Sequence, residues 1–430
     1  MLKSEENELL VRVGPTTPMG NLLRRFWIPA LLSEEISDRD GAPVRVTLLG
    51  ETLVAFRDSK GSVGLLDAYC PHRRANLFWG RNEQCGLRCV YHGWKFDVDG
   101  NCTDLPNVPG GDKIKRAIRT PAYPTTEHSG IVWAYMGPPE LRPPFPAAEV
   151  FDLPQSHRHV SKIVLRVNWF QSMEGDMDSS HVSFLHSRVD ATHVLPETRI
   201  SSYAFSDNAP RWLIQPTHYG FALAAQREAG ADRYAWRVGQ WLMPFTTLVA
   251  APADAPFITN IRVPLDDHHT MHLRIYARLD RPLDDEDMAA VGEGVMFPEM
   301  IPGTFMTKAN ISNDYMIDRN DQRHGSYTGI KSIPLQDYAV TQDQGGGPIA
   351  DRSRERLTAS DKAIIMVRKR MLDSVRALMD GREPAEPSNA AAYRVRPIDT
   401  VLPRSEDILA FTDKYGAARS AGGLQTDVLQ

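Results

Sequence analysis

Two short segments, each with a cysteine and a histidine, constrain this chain more than any other feature. The first reads Cys70-Pro71-His72 and the second Cys89-Val90-Tyr91-His92, with sixteen residues between them. Thiolate sulfur and imidazole nitrogen are the groups with which proteins hold zinc ions and iron–sulfur clusters. Because the four side chains come from two segments, such a site requires two loops side by side. The sequence therefore predicts a metal-binding domain around residues 70–92.

The four residues are compatible with two kinds of metal site. Two cysteines and two histidines around one ion would form a tetrahedral zinc site. Two cysteines on one iron and two histidines on the other would form a Rieske 2Fe–2S cluster. A cysteine and a histidine one residue apart in a β-rich hairpin are unlike the usual zinc finger, whose histidines pair on a helix. The spacing, with Gly93-Trp94 after the second segment, favours the Rieske cluster.

A second constellation follows in residues 168–186, where an acid and two histidines lie close together. Asp178 and His181 are three residues apart and share one face of a helix. His181 and His186 are five apart, roughly 140° around an ideal helix, so both can reach one metal only if the helix ends or widens there. Two histidines and a carboxylate would leave open positions on Fe(II) for O₂. An acidic helix with two incidental histidines is the alternative interpretation.

A proline-rich stretch divides the chain. Residues Gly137 to Pro146 contain five prolines in ten, and neither a helix nor a central strand continues through such a stretch. Short β-like segments precede it, whereas strands mixed with helices, including one over 171–186 and one over 360–379, follow it. We predict an α+β chain with an N-terminal segment over 1–25, an antiparallel β domain with the cluster over 26–140, and a catalytic domain over 141–430.

Composition excludes several classes of protein. The 430 residues include 49 basic and 54 acidic side chains, and a net charge of −5 argues against nucleic acid as a partner. No uninterrupted apolar run approaches the ~20 residues of a membrane span, and the N-terminus does not read as a secretory signal. Four cysteines cannot form a disulfide framework, and we expect Cys85 and Cys102 to be ordinary thiols. We expect a cytoplasmic protein without a membrane anchor.

Together the two constellations resemble the Rieske non-haem iron ring-hydroxylating oxygenases. The stretch CPHR…CVYHGWKFD resembles the Rieske signature, and EGDMDSSHVSFLH resembles the iron-ligand segment. The opening NELLVRVGPTTPMGNLLRRFWIPAL and the later QDYAVTQDQGGGPIADRSRERL are similar to the phthalate dioxygenase group, so the resemblance covers nearly the whole chain. It implies a Rieske β domain followed by a helix-grip catalytic domain, in which helices cover one side of a curved antiparallel sheet. It also implies a mononuclear Fe(II) as the second cofactor.

The resemblance also implies roles for single residues. The third iron ligand must be an acid further along the chain, and seven were considered: Asp314, Asp318, Asp321, Asp337, Asp343, Asp351 and Asp361. Asp361 begins the last helix, where the helix dipole already explains an acid. Asp337 lies in IPLQDYAVTQ, which resembles the family segment that carries the carboxylate ligand, so we assign Asp337.

In the family, the acid that matches Asp178 bridges the cluster histidine matching His92 on one subunit to the iron histidine matching His181 on the next. We therefore expect a homotrimer, or two stacked trimers, because a contact between two different surfaces can close into a ring of three. Some relatives have Asn where this chain has Glu174.

Electrons must come from another protein. No Gly-x-Gly-x-x-Gly follows a strand, and no second cysteine set of the plant ferredoxin type is present. The resemblance therefore implies a separate NAD(P)H-dependent reductase with flavin and iron–sulfur centres. A Rieske electron carrier without the mononuclear iron is the non-enzymatic alternative.

Relatives in this group act on phthalate, isophthalate, chlorobenzoates and phenoxybenzoate, so we expect O₂-dependent dihydroxylation of an aromatic carboxylate. Monooxygenation or O-demethylation is the alternative chemistry. A carboxylate substrate suits an arginine, whose planar fork matches it. Arg237, inside an apolar strand, and Arg199 are the candidates, with Arg211 weaker; a structural ion pair is the alternative role for each.

Overall fold

The computed structural model describes residues 2–189, 203–252, 255–290 and 296–416. These residues form two compact units. The smaller unit contains Arg12–Pro143 and Pro264–Asp267. The larger unit contains the described residues before Arg12, those over Pro144–Val263 and those after Asp267. The division between Pro143 and Pro144 falls inside the proline-rich stretch.

The smaller unit consists of short antiparallel strands in three sheets. The sheets have the strand orders β1-β10-β9, β2-β3-β4 and β5-β6-β7-β8. The strands are β1 (Trp27–Leu32), β2 (Val44–Leu48), β3 (Glu51–Arg57), β4 (Val63–Asp67), β5 (Arg81–Asn82), β6 (Leu87–Arg88), β7 (Lys95–Phe96), β8 (Cys102–Asp104), β9 (Thr125–His128) and β10 (Ile131–Tyr135). Helix α2 (Pro18–Leu23) precedes them and follows helix α1 (Ser4–Val11) of the larger unit.

A compact apolar core supports the two Cys/His segments of this unit. Val54 and Phe56 on β3, with Leu87 and Phe96 from β6 and β7, are fully or almost fully buried. Cys70, Cys89 and Cys102 belong to the same buried cluster. The thiols of both segments are therefore held by close packing, whereas the histidines beside them remain partly exposed.

The larger unit is built on an eight-stranded sheet with the order β11-β17-β16-β15-β14-β13-β12, in which β18 also pairs with β14. Its strands are β11 (Arg158–Leu165), β12 (Arg211–Pro216), β13 (Gly220–Glu228), β14 (Arg233–Leu242), β15 (Thr246–Leu248), β16 (Phe257–Pro264), β17 (Thr270–Ala277) and β18 (Ile398–Pro403). The sheet is antiparallel. Its helices, besides α1, are α3 (Trp169–Glu174), α4 (Tyr203–Ser206), α5 (Asp285–Ala290), α6 (Arg319–His324), α7 (Ile333–Gln342), α8 (Lys362–Met379) and α9 (Ile408–Tyr415).

The two faces of this sheet differ in character. Side chains alternate between faces along a strand, so Trp236 and Val238 of β14 point to one face and Arg237 points to the other. The first face is apolar and packs, with Ala224 of β13, against Ile408 of α9. The opposite face carries polar side chains, and the predicted iron-ligand segment contacts it.

The predicted α+β fold class, a Rieske antiparallel β domain followed by a helix-grip domain with an antiparallel sheet, is confirmed. The helix predicted over 171–186 is wrong. Helix α3 ends at Glu174, and single 3₁₀ turns follow over Gly175–Met177 and His181–Ser183. The carboxylate of Asp176 binds side chains of the sheet, and this contact draws the backbone away from a continuous helix. Within the described ranges, no helix combines the length and apolar character that a membrane span needs.

Candidate metal centres

The two Cys/His segments form loops with the same hydrogen-bond pattern. The N–H of Cys70 donates to the carbonyl of Ala75, and the N–H of Cys89 donates to the carbonyl of Trp94, at 2.9 and 2.8 Å. In each loop the N–H four residues after the cysteine donates back to the cysteine carbonyl at 2.9 Å, from Arg74 and from Gly93. Each loop thus presents one thiol from a closed turn. The two loops have the same backbone hydrogen bonds, although the cysteine and the histidine are two residues apart in one and three apart in the other.

The residue that closes each loop has a left-handed backbone. Arg74 has a φ of 57° and Gly93 a φ of 78°. Glycine is needed only in the second loop, because a Cβ on Gly93 would lie 2.6 Å from Cγ of Pro106. The glycine that follows His92 is therefore explained by a close approach as well as by its φ.

The loops bring the two histidines together. The ring centroids of His72 and His92 are 4.5 Å apart, while Cys70 and Cys89 are buried. Trp94 stacks on His72 at 4.4 Å with an interplanar angle of 9°, and the ring of Tyr91 lies 3.9 Å from that of His92. Aromatic side chains thus flank both imidazoles and restrict their rotation.

These residues fit a two-iron cluster. Nδ1 of His72 is buried and has no hydrogen-bond partner among the described residues, as expected for a nitrogen reserved for a metal. Burial, with a smaller contribution from the nearby Cys89, raises the pKa of the Cys70 thiol to about 11, so a bound metal would have to displace its proton. One tetrahedral ion would require the ligand atoms of these four side chains to lie close together. In the described chain, only His181, His186 and Asp337 bring three ligand atoms within 4.8 Å of one another. The Cys/His side chains are therefore spread more widely than one tetrahedral ion requires.

The second constellation converges on one point. Ligand atoms of His181, His186 and Asp337 all lie within 4.8 Å of one another. Nε2 of His186 is 3.2 Å and Nε2 of His181 is 3.7 Å from the same oxygen of Asp337. Since helix α3 ends before Asp178, the helical angle between the two histidines no longer applies, and a short 3₁₀ turn brings both rings to one place. Two imidazoles and one carboxylate match the donor set of non-haem Fe(II) sites.

The other nitrogen of each ring is held by a neighbouring side chain. Gln336 donates from its amide nitrogen to the carbonyl of Ile330 at 2.9 Å, so its oxygen must accept from Nδ1–H of His186 at 2.7 Å. On the other ring, Nδ1 of His181 lies 3.6 Å from a carboxylate oxygen of Asp178. Both rings therefore turn Nε2 towards Asp337, as metal-bound histidines do when a second group fixes their orientation.

Electrostatics at this point favour a cation. Burial opposes charge on His181, but the carboxylates of Asp178 and Asp337 outweigh it and raise the pKa of the imidazole. Burial likewise opposes charge on Asp337, yet His186 and His181 hold the pKa of this carboxyl below its usual value. The carboxylate beside two imidazoles is thus arranged for positive charge, which a bound Fe²⁺ would supply.

A chain of buried hydrogen bonds connects helix α7 to the iron-ligand segment across the sheet. Tyr338, next to Asp337, donates to Nδ1 of His272 at 2.7 Å, and Nε2–H of His272 donates to Asn260 at 3.0 Å. Asn260 in turn donates to Asp176 at 2.8 Å. Burial lowers the pKa of His272 well below its ordinary value, so this histidine is neutral and has one donor and one acceptor nitrogen.

Asp176 also accepts hydrogen bonds from a hydroxyl group and a guanidinium group of the sheet. It accepts from Thr247 at 2.8 Å and from the guanidinium of Arg262 at 2.9 Å. Arg227 on β13 donates to the carbonyl of Ser179 at 2.6 Å and to its hydroxyl at 3.0 Å. The segment that carries Asp178 and His181 is thus tied to the polar face of the sheet at Asp176, which precedes it, and at Ser179, which lies within it.

The candidate substrate-binding arginines and Glu174 lie in different environments. Arg237 is half-buried and forms no hydrogen bond or ion pair within the described part of the chain. Arg211 is exposed and pairs with Glu228 at 3.3 Å. Arg199 lies outside the described residues. Glu174 forms buried ion pairs with Arg352 and Arg368.

The other acids considered as iron ligands have local tasks or are exposed. Asp318 caps helix α6, and Asp361 accepts the N–H of Thr358 at 2.7 Å. Asp351 accepts the N–H of Ser353 at 3.1 Å, and Asp321 bonds to Ser326. Asp314 and Asp343 are exposed, as are Asp318 and Asp351. Asp337 is the one that joins both histidines.

Family models match almost the whole chain. Residues 26–124 match the Rieske [2Fe-2S] domain, and residues 134–429 match the model described as LigXa C-terminal domain like. This chain belongs to the Rieske non-haem iron oxygenases. It is therefore an oxidoreductase whose cofactors are a Rieske 2Fe–2S cluster and a mononuclear iron.

Curated relatives agree with this assignment. This Rieske oxygenase is 40% identical over 395 residues to the 3-chlorobenzoate-3,4-dioxygenase oxygenase subunit of Comamonas testosteroni, covering 88% of the chain and 89% of the relative. It is 40% identical over 415 residues to the phthalate 4,5-dioxygenase oxygenase subunit of Pseudomonas putida, covering 92% of each. The 5,5'-dehydrodivanillate O-demethylase oxygenase subunit of Sphingobium sp. is 32% identical over 397 residues, which cover 89% of this chain and 83% of that one.

Solved structures share the fold. NdmA of Pseudomonas putida CBB5 superposes with a TM-score of 0.58 at 19% identity, covering 91% of this Rieske oxygenase and 99% of that chain. Dicamba monooxygenase bound to dicamba gives a TM-score of 0.56 at 19% identity, with coverages of 84% and 99%. At this identity the likeness shows the common architecture alone.

Sequence reasoning missed the groups that hold the site in place. Gln336 immediately precedes Asp337, but nothing in its local pattern indicates that it binds a histidine. A signal for the polar network did exist. Asn260 and Arg262 are two apart on β16, and His272 and Arg274 are two apart on β17, so two apolar strands each carry polar residues on one face. That alternation predicts a polar sheet face, which is unusual inside a domain.

Proposed function

We propose that this Rieske oxygenase is the terminal component of a multicomponent system that uses O₂ and electrons from a separate reductase to dihydroxylate an aromatic carboxylate. One observation carries the proposal. A chain with a Rieske segment also brings His181, His186 and Asp337 together, and two oxygenase subunits named for aromatic acids are 40% identical to it. A simple electron carrier would have no use for the second set of residues.

Each set of residues would hold one cofactor. Cys70, His72, Cys89 and His92 would bind the 2Fe–2S cluster. His181, His186 and Asp337 would bind the mononuclear iron. When bound, the cluster would supply single electrons, and the mononuclear iron would supply the centre at which O₂ is activated for oxidation of the substrate ring.

The protein's own part in the reaction is to fix geometry. Gln336 and Asp178 hold the two imidazoles so that both Nε2 atoms face Asp337. Two histidines and one carboxylate would hold Fe(II) and would leave positions on the ion open to O₂. Arg262 and Arg227 hold the ligand segment against the sheet through Asp176 and Ser179. A site anchored to a rigid sheet in this way keeps the reacting groups in register.

The proposal extends to assembly. Asp178 would bridge His181 of its own chain to the cluster histidine His92 of a neighbouring subunit. Such a contact joins two different surfaces, so copies related by rotation close into a ring, here a homotrimer or two stacked trimers. The carboxylate suits this role because burial does not prevent its ionisation: His181 holds the pKa of Asp178 below its usual value.

The electron donor would be a separate NAD(P)H-dependent protein with flavin and iron–sulfur centres. The sequence contains no dinucleotide-binding glycine motif after a strand. None of the four cysteines, all of which lie in the described ranges, forms a disulfide, in keeping with a cytoplasmic location. We assign no role to nucleic acid or membrane.

Arg237 would receive the substrate carboxylate. Its side chain is half-buried on the polar face of the sheet and has no partner among the described residues. A guanidinium there can form the paired hydrogen bonds that a planar carboxylate accepts. Arg199 is the second candidate. The relatives' names make phthalate and 3-chlorobenzoate the first substrates to test, with isophthalate and other chlorobenzoates next.

The test is turnover of a panel of benzoates and benzenedicarboxylates with a compatible reductase, with products identified by mass and NMR. We expect a cis-dihydrodiol from at least one acid, and no product from Asp337→Ala that retains the cluster spectrum. Arg237→Gln should weaken turnover of the carboxylate more than that of an uncharged analogue. Product from an Asp337→Ala protein without mononuclear iron would refute the assigned site.

One observation favours a second chemistry. The relative at 32% identity is named an O-demethylase, and another at 32% identity is named a tert-butanol monooxygenase. The panel should therefore include methoxybenzoates. Formaldehyde and a phenol, in place of a dihydrodiol, would identify this chain as a demethylating monooxygenase.

A further inference from the structure

A buried carboxyl group lies beside Arg237 and takes no part in the site described so far. Strand β18 pairs with β14, and Asp399 stands directly opposite Arg237 in that pairing. Directly paired residues point to the same face of a sheet. Asp399 therefore belongs to the polar face, opposite the apolar face that packs on α9.

This part of the face lies beneath the iron-ligand segment. Arg237 also pairs with Ala225 of β13, and Arg227 is two residues further along β13, so it points to the same side. Arg227 reaches Ser179, which lies between Asp178 and His181. Arg227, Arg237 and Asp399 thus form one cluster, and its neighbour is the segment that would carry the iron.

Asp399 is buried without any hydrogen-bond donor. Only 7% of the residue is exposed, and its Oδ1 is fully buried with no partner among the described residues. In the described chain, no nitrogen of Arg237 or Arg227 comes within ion-pair distance of Asp399. The positive charges of both arginines nevertheless act to lower the pKa of Asp399. Burial raises the pKa of Asp399 to about 6. A buried polar atom without a partner normally costs stability and therefore requires an explanation, and a hydrogen bond from a bound ligand is one explanation.

The cluster therefore offers two complementary contacts. Among the described residues, Arg237 has no carboxylate within ion-pair distance, and Oδ1 of Asp399 has no hydrogen-bond donor. The guanidinium of Arg227 is already used by the carbonyls of Ser179 and Asp207 and by the Ser179 hydroxyl. A ligand that satisfies both free groups must carry an anionic group and, on the same ring, a group that donates a hydrogen bond.

We propose that Asp399 is a specificity-determining residue that accepts a hydrogen bond from a ring hydroxyl or amino group of an aromatic acid whose carboxylate binds Arg237. The inference rests on the proposed function and narrows its substrate class to hydroxy- or aminobenzoates. The inference also argues against a dicarboxylate substrate, because a second carboxylate would lie beside the carboxylate of Asp399 and would find no hydrogen-bond donor there.

A purely structural role for Asp399 predicts a different outcome. If Asp399 only oriented Arg237, its loss would weaken every carboxylate ligand by the same factor. If it accepts from the substrate, its loss affects only ligands that carry the donor. The ratio of the dissociation constants of two ligands that differ only in the donor group therefore distinguishes the two roles, whatever the effect on overall activity.

The first experiment uses the wild-type holoprotein without O₂. Calorimetry measures the binding of benzoate, the three hydroxybenzoates, the three aminobenzoates, 3-chlorobenzoate and phthalate. We expect at least one hydroxy or amino isomer to bind about 10-fold or more tightly than benzoate and 3-chlorobenzoate, as a hydrogen bond to a charged acceptor implies. Phthalate should bind more weakly than that isomer.

The second experiment uses Asp399→Ala with Thr400→Val as the matched control. Thr400 is the next residue of β18 and points to the opposite face. Asp399→Ala should remove most of the preference for the hydroxy or amino isomer and leave benzoate binding within about 3-fold. Thr400→Val should keep the preference. The cluster spectrum and iron content verify that each variant is folded.

Binding and turnover separate the two proposals. Benzoates that bind and are oxidised without any preference for a donor would overturn the role of Asp399 and leave the proposed function intact. A donor preference that depends on Asp399, in a loaded protein that oxidises no aromatic acid, would support the subsite and refute the proposed reaction. Equal weakening of all acids in Asp399→Ala would show a structural role. Tighter binding of phthalate than of every hydroxy or amino isomer would also overturn the inference.

Discussion

The amide oxygen of Gln336 lies 2.7 Å from Nδ1 of His186. Because the amide nitrogen of Gln336 already donates to Ile330, this contact fixes Nδ1 of the imidazole as the protonated nitrogen. Nε2 then presents its lone pair to an oxygen of Asp337 only 3.2 Å away. A proton or a metal ion between these two atoms would remove the repulsion between their lone pairs. The geometry around Gln336 is thus that of a metal site with its outer support already in place.

We predict that Gln336→Leu lowers the affinity for mononuclear iron by about 10- to 100-fold, the usual cost of losing a group that orients a metal ligand. The Rieske spectrum should be unchanged, because the cluster ligands lie in the smaller unit. Iron titration followed by elemental analysis measures the effect. Gln344→Leu, at an exposed position two residues after α7, is the control. Equal iron affinity in wild type and Gln336→Leu would contradict the assigned role.

Asp176 should be essential for the stability of the larger unit. Asp176→Asn leaves the buried guanidinium of Arg262, whose exposure is 3%, without its carboxylate. Removing one partner of a buried ion pair costs about 3–5 kcal/mol. We expect a loss of this size in chemical denaturation, together with reduced iron content, because Asp176 precedes Asp178 by two residues. Asp343→Asn at an exposed position should change neither property.

Asp399 should make stability depend on pH. Its pKa of about 6 in the folded protein lies above the ordinary value of about 3.9 in an unfolded chain, so folding is favoured when the group is protonated. This contribution is complete below about pH 4 and is lost as the pH rises through about 6. Asp399→Asn, which cannot ionise, should therefore be more stable than wild type at pH 8, by up to about 3 kcal/mol.

The stability difference between Asp399→Asn and wild type should shrink between pH 8 and pH 5 in urea denaturation. Asp413→Asn on the exposed side of α9 provides the comparison and should show no such trend. A difference that stays constant over this range would mean that Asp399 does not change its protonation on unfolding.

The proposed path between subunits makes a prediction about mixed assemblies. One inactive variant, Cys70→Ser, lacks the cluster, and another, His186→Ala, lacks the iron. Co-assembled, they should recover part of the wild-type activity, because some interfaces join an intact cluster to an intact iron. Activity assays on tagged, purified mixtures measure the recovery. No recovery from verified mixed assemblies would show that electrons pass between the two centres of one chain.

Local sequence determined the smaller unit well, because its site is built from residues close together in the chain. Each cysteine closes a loop with a residue five positions later, so spacing alone predicts which side chains converge. The glycine after His92 follows from its positive φ and from the approach of Pro106. The short runs of apolar residues in β3, β10 and β14 likewise predicted those strands, because Val, Leu, Tyr and Phe favour extended backbone.

Only the tertiary structure decided how the larger unit holds its candidate site. The helical pattern over 171–186 gave a wrong prediction, because the bonds from Asp176 to Thr247, Asn260 and Arg262 outweigh local helix propensity. The choice of Asp337 among seven acids depended on resemblance, and its contact with both histidines arises from the packing of α7. Cross-strand pairing placed Asp399 beside Arg237, 162 residues away along the chain. Sequence determines such contacts only through the whole fold, because a buried charge takes its partner from whichever element packs against it.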